Sequence, residues 1–129
     1  MPEKSRRELG LEMAHEVYAV DLGLDNVDDD YQALCIDHLF GDIWQREALG
    51  IRDRRMITIG VVASEGLGDV VELQFYSALE RGEMTPEQVN ETVIHLTEYL
   101  GWPRSVAVYR AALAAIAKHE GTEPKPFGH

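Results

Sequence analysis

A thiol, an imidazole and a carboxylate stand at Cys35, His38 and Asp42, offsets of i, i+3 and i+7. On an α-helix those offsets project from one face. Such a set could bind a soft metal or form a reactive thiol–imidazole pair. It is also the composition of an ordinary half-buried helix face, with cysteine as small filler and the polar groups at its margin. That plainer reading is favoured, and no metal site is assigned. Trp44 and Arg46 close the same segment.

A second group is basic. Arg46, Arg52, Arg54 and Arg55 form an island in a chain of 12 basic and 23 acidic residues, net charge −11. Arginines at the start of a helix oppose its dipole, so something must hold them: Asp53, acids from a neighbouring helix, or a bound anion. The guanidinium fork suits carboxylates. Most of these arginines fit structural ion pairs, and one or two could face a substrate carboxylate. His95 lies mid-helix with Glu91 and Glu98 at i−4 and i+3. The pattern is that of a satisfied core histidine, one that could titrate near neutrality if a carboxylate supports it. His15, His119 and His129 read as surface positions. There is no P-loop, GxGxxG, HExxH or CxxC motif.

The elements that position these groups read as helices throughout. Leu9, Met13, Val17 and Val20 repeat at steps of three and four, placing a helix over about residues 5–21. Asp28, Asp29 and Asp30 end a break and suit the positive end of the next helix, over about residues 29–45. The run from Met56 to Ala63 is nearly all apolar and rich in β-branched residues. It reads as helix rather than buried strand, because no partner strand exists elsewhere. A fourth helix spans about residues 69–81 and stops at Gly82. Thr85, Pro86 and Gln88 give the fifth a capping box, and it ends at Gly101. An alanine-rich sixth helix covers about residues 103–119. Residues 120–129 read as a mobile tail or a partner-contacting arm.

Length and charge bound the rest. A chain of 129 residues is read as a single domain, 1–129, able to bury a core unaided. The acidic surface repels phosphates, so neither nucleic acid nor membrane is an expected partner. No apolar run approaches the ~20 residues of a membrane span. Residues 1–7 are charged with no signal-peptide core behind them, and Cys35 is alone; a cytoplasmic location is expected. Apolar residues on several faces of the third and sixth helices point to a homo-oligomer.

Three stretches carry a family resemblance. YQALCIDHLFGDIWQR, from Tyr31 to Arg46, resembles a segment of the gamma-carboxymuconolactone decarboxylase family. RDRRMITIG, from Arg52 to Gly60, is similar to that family's arginine-rich start to its central helix. ALERGEMTPEQVNETVIHLTEYLGWP, from Ala78 to Pro103, resembles its most specific signature. The similarity runs over about residues 5–118. It implies an all-α, six-helix fold of the alkylhydroperoxidase-D-like type, assembled as trimers or hexamers. It also implies cofactor-independent decarboxylation of a small carboxylated organic substrate such as 4-carboxymuconolactone. In such a reaction the electrons released with carbon dioxide spread toward the lactone carbonyl, so a site must anchor carboxylates, stabilise charge and deliver a proton.

Carried over by position, Asp42 matches the acid before Trp44, Arg46 and Arg52 match family arginines, and His95 matches the histidine of the late signature. The catalytic candidates are therefore Asp42, His38, His95 and Gln74. The substrate-binding candidates are Arg46, Arg52, Arg54, Trp44 and Tyr31. One departure matters: Gln74 stands where the family has a second histidine, and an amide is no general acid or base. The peroxidase branch departs further, since its glutamate, CxxC pair and histidine fall on Arg55, Leu67, Val70 and Gln74. Three readings stay open: a decarboxylase, a divergent member with other chemistry such as isomerisation, and a non-catalytic oligomeric ligand-binding scaffold.

Overall fold

A computed structural model describes residues 3–126. Every regular element among them is helical, and no strand occurs among them. We number α1 Arg6–Val17, α2 Asp30–Leu34, α3 Ile51–Ser64, α4 Gly68–Glu80, α5 Pro86–Leu100 and α6 Trp102–Glu120. A short 3-10 turn, Leu24–Asn26, precedes α2, and a π-helical segment, Cys35–Ile43, continues it. The chain divides into two compact units, Met1–Arg54 and Arg55–His129.

In the first unit α1 packs on the π segment. A capping box starts α1: Ser5 Oγ accepts from Glu8 N at 3.1 Å while the Glu8 carboxylate accepts from Ser5 N. Its buried line is Gly10, Ala14 and Val17, one residue round from the expected Leu9–Met13 line. The chain turns extended at Tyr18, so Val20 falls beyond the helix. The reason for the shift is backbone proximity. A Cβ on Gly10 would sit 2.0 Å from the Ile36 carbonyl oxygen, and one on Gly41 would sit 2.7 Å from that of Arg6. Two missing side chains thus let helix and π segment touch main chain to main chain.

The second expected helix exists but changes character halfway. Asp29 caps α2 through Gln32 N at 2.8 Å, as the acidic run suggests. From Cys35 the ladder widens to i→i+5, ending with Trp44 N to the Leu39 carbonyl at 2.9 Å. The Gln45 side chain donates at 3.1 Å to both the Phe40 and the Leu9 carbonyls, tying the end of the π segment to α1. Phe40 sits in the core between Tyr18, met edge-on at 5.7 Å, and Trp44 at 5.9 Å.

In the second unit the apolar run is helix, as its lack of a strand partner requires. Arg55, Ile59 and Ala63, four apart, are its buried line, while Ile57 and Val61 stay exposed in the single chain. Both α4 and α5 pack against α6 around Val71, Phe75, Val89, Val108 and Ala112. Fully burying a side chain such as Phe75 contributes about 1.5–3 kcal/mol. Gly82 adopts φ 70° and ends α4. The expected Thr85–Gln88 capping box starts α5, with bonds of 3.1 and 2.9 Å. Helix α6 runs to Glu120, so only residues 121–126 of the expected tail are described, and they are exposed or left-handed turn. Residues 127–129, including His129, lie outside the described residues.

Gly10→Ala should destabilise the protein by about 1–3 kcal/mol in urea unfolding, the usual cost of overpacking. Gly60→Ala is the control: nothing lies within 4 Å of a Cβ there, inside α3. It should stabilise by about 0.5–1 kcal/mol. Equal responses at the two glycines would refute the close-approach account.

Candidate functional site

The chemistry-bearing side chains form two clusters, one in each unit. In the first, Asp42 accepts hydrogen bonds from the Arg6 guanidinium, with Nε at 3.0 Å and Nη2 closer still. His38 Nδ1 lies 3.2 Å from the same carboxylate, four residues back. With Nδ1–H donating to Asp42, Nε2 is left as the basic nitrogen of the neutral ring. Arg7 grips Asp37 the same way, at 2.5 and 3.0 Å. Helix α1 is therefore held to the π segment by two arginine forks. The Arg6 hydrogen bond, with help from His38, keeps Asp42 below the usual carboxylate range, and Arg7 does so for Asp37.

Cys35 does not join this cluster. The i→i+5 ladder changes the angular spacing, so the Cys35–His38–Asp42 face expected of an α-helix is split. Cys35 is half-buried against the first unit's core, and burial pushes its thiol up. No group of three or more potential metal ligands occurs among the described residues.

The second cluster is built on Arg55. Its side chain is 0% exposed, in line with Ile59 and Ala63 on α3. A buried guanidinium is costly unless its charge and its donors are matched. Glu83, just after Gly82, supplies the charge: Nε donates to Oε1 at 2.6 Å and Nη2 to Oε2 at 3.0 Å. Gln74, also 0% exposed, supplies the remaining acceptor, its Oε1 lying 3.0 Å from Nη1. Gln74 is thus a ligand of a buried cation. The Glu83 side chain is 13% exposed and is the member of the trio that reaches water.

The other candidates are placed elsewhere. Trp44 is buried in the first unit's core. Tyr31 is 84% exposed on α2. Arg54 donates to the Arg46 and Leu49 carbonyls at 3.0 and 3.2 Å, closing the turn before α3. Arg46 and Arg52 are exposed. His95 is exposed on α5 with its ring 5.2 Å from that of Tyr99, not the core histidine its apolar neighbours suggest. The residues missed by sequence reasoning are Arg55 as the partner of Gln74, and Glu83. The signal for Arg55 was its place on the Ile59–Ala63 line; Glu83 had none beyond being an acid next to a helix-ending glycine.

With an all-helical fold, the arginine start of α3 and the α5 signature in place, the comparison with family models is decisive. The model of the carboxymuconolactone decarboxylase family matches residues 29–114, more than half of the chain, and the chain belongs to that family. The match begins at the Asp29 cap, takes in both Asp42 and Arg55, and leaves α1 outside. No curated protein and no solved structure matches the chain. No helix among the described residues is long and apolar enough to cross a membrane.

Two predictions follow from the clusters. Because Asp37 and Asp42 titrate below their ordinary value of 3.8 in the folded chain, the clamps stabilise it above that pH. That contribution is lost as pH falls through the lower folded values. Hydrogen-exchange protection of α1, relative to the intrinsic rate at each pH, should therefore fall in acid, and Asp37→Asn with Asp42→Asn should lower it at neutral pH too; unchanged α1 protection in the double variant would contradict the clamp. For the buried pair, Glu83→Gln should cost about 3–5 kcal/mol, because it strands the cation. Arg55→Met combined with Glu83→Gln should cost less than the sum of the single changes in a double-mutant cycle. Simple additivity would show that the fork contributes nothing.

Proposed function

We propose that this protein is a cofactor-independent lyase, acting on a small carboxylated lactone of the 4-carboxymuconolactone type. Family membership supports a reaction of the decarboxylase class. The observation that carries the finer reading is the buried Arg55 guanidinium bonded to Gln74, at the position of the family histidine. A fixed cation and an amide are what charge stabilisation during decarboxylation needs. The electron pair left by carbon dioxide spreads into the lactone carbonyl, and oriented N–H donors lower the energy of the resulting enolate. The glutamine cannot move the proton. His95, in the same unit as Arg55 and matched by the resemblance to the second family histidine, is the imidazole assigned to proton delivery. The working form is a homotrimer or homohexamer, an assignment supported by Ile57 and Val61 left bare on α3.

A second reading rests on a different feature. A cleft of about 240 Å³ between α5 and α6 is lined by Val93, Ile94, Trp102, Val106 and Tyr109 among others. An almost wholly apolar cleft, lined by none of the residues of either polar cluster, favours a ligand-binding scaffold without catalysis.

The test is lactone consumption and carbon dioxide release at neutral pH. The parent should turn over, and His95→Gln should lower kcat by about 10²–10⁴-fold. Gln74→His places an imidazole against Arg55, which favours its neutral form, so a restored base there should raise the rate above the parent's. If parent and Gln74→His are both inactive and neither binds the lactone, the lyase reading is wrong and the scaffold reading stands.

A further inference from the structure

We propose that Glu83 is a built-in stand-in for a ligand carboxylate: it occupies the Arg55–Gln74 recess in the free protein and swings out when an external carboxylate takes its place. The inference rests on the lyase reading only in using the same guanidinium, and it concerns binding rather than turnover.

The geometry of the recess points this way. Nε and Nη2 of Arg55 are both given to one carboxylate, at 2.6 and 3.0 Å, while Nη1 is held by Gln74. The recess is therefore shaped for a single planar carboxylate in bidentate contact. Stability alone does not call for it, because well-packed apolar residues commonly replace a buried ion pair without loss.

The occupant is also built to leave. Arg55 and Gln74 come from the middles of α3 and α4 and are 0% exposed. Glu83 comes from the turn between α4 and α5, after the left-handed Gly82, and its side chain is 13% exposed. The path from water to the guanidinium therefore runs along Glu83 itself. Its backbone stays fixed when the side chain moves: Glu83 N donates to the Ala78 carbonyl at 2.9 Å, and Met84 beside it is buried in the core. Rotation about the side-chain bonds suffices, with no unfolding of the turn.

Exchange of one carboxylate for another conserves the charge balance around Arg55. Glu83, being tethered, competes at a high effective concentration, so the recess binds simple monocarboxylates only weakly and favours ligands with further contacts to offer. The class of ligand is a small organic acid carrying a second polar group, and the device confers selectivity rather than raw affinity.

The experiment uses the whole chain and sodium acetate as the probe, with sodium chloride at matched ionic strength as control. Arg55 Nε–H and the Gln74 side-chain amide are followed by nitrogen–proton NMR. The wild type should show weak, saturable acetate shifts at both groups that chloride does not produce. Glu83→Gln should bind acetate about 10²-fold or more tightly, since the tethered competitor is gone. Should that variant fail to fold, Glu83→Ala refolded with acetate present carries the same readout. No saturable shift in the wild type up to molar acetate would overturn the proposal, since a purely structural pair would never open. An equal response to chloride would overturn it as well. Acetate exchange in a protein without lactone turnover would leave this inference standing and sink the lyase reading alone; turnover without exchange would do the reverse.

Discussion

A cation with no exposure to water organises the second unit. Arg55 stands on the buried line of α3 with Ile59 and Ala63, and Glu83 and Gln74 answer to it. Its fork requires a carboxylate, which the turn after Gly82 supplies, and its third nitrogen requires an acceptor, which Gln74 supplies. Three elements are thereby set relative to one another: α3 by Arg55, α4 by Gln74, and the α4–α5 turn by Glu83. The apolar core around Phe75 and Val89 could tolerate sliding between helices. A bidentate ion pair in a medium of low dielectric is far less tolerant, because a small displacement strands a charge.

The first unit solves its contact differently. There the decisive feature is the absence of side chains at Gly10 and Gly41, which brings α1 and the π segment within main-chain reach. Ala14 and Val17 join Phe40 and Trp44 in a small apolar core, and polar groups complete the attachment. Arg6 and Arg7 bind Asp42 and Asp37, and Gln45 ties Leu9 to Phe40 through their carbonyls. Asp42 therefore has two duties, as a clamp for α1 and as the orienter of His38. Loss of Arg6 would change the electrostatics of the imidazole's partner, although Arg6 lies outside the family-matched residues.

How much of this was legible depends on what a periodic reading can see. The Thr85–Gln88 box, the stop at Gly82 and the Asp29 cap each follow from local chemistry, and each is present. The helix from Ile51 to Ser64 was legible despite its β-branched residues, because a lone strand has no partner for its ladder. The α1 register was not legible, since a pattern search weighs Leu9 and Met13 above Gly10 and Ala14, while close packing reverses that order. The π segment was invisible for a related reason. Grouping Cys35 with His38 and Asp42 presumes a 3.6-residue turn, and the wider ladder breaks that presumption. At the candidate site the arginine island was legible, but the partners of Arg55 were not, since Glu83 and Gln74 lie far from it in sequence.

The contact between Arg55 and Gln74 has a meaning of its own in this geometry. It pairs a cation with a neutral amide. Such a pair cannot shuttle protons, yet it holds its field at every physiological pH, because a guanidinium does not deprotonate there. Under the lyase reading the burden of catalysis shifts from proton transfer toward electrostatic stabilisation. A proton must then come from another group. A thiol route gains no support: Cys35 is the chain's one cysteine, and burial disfavours its thiolate. What the second unit holds between α3 and α4 is a buried polar locus built on a guanidinium, an amide and a carboxylate.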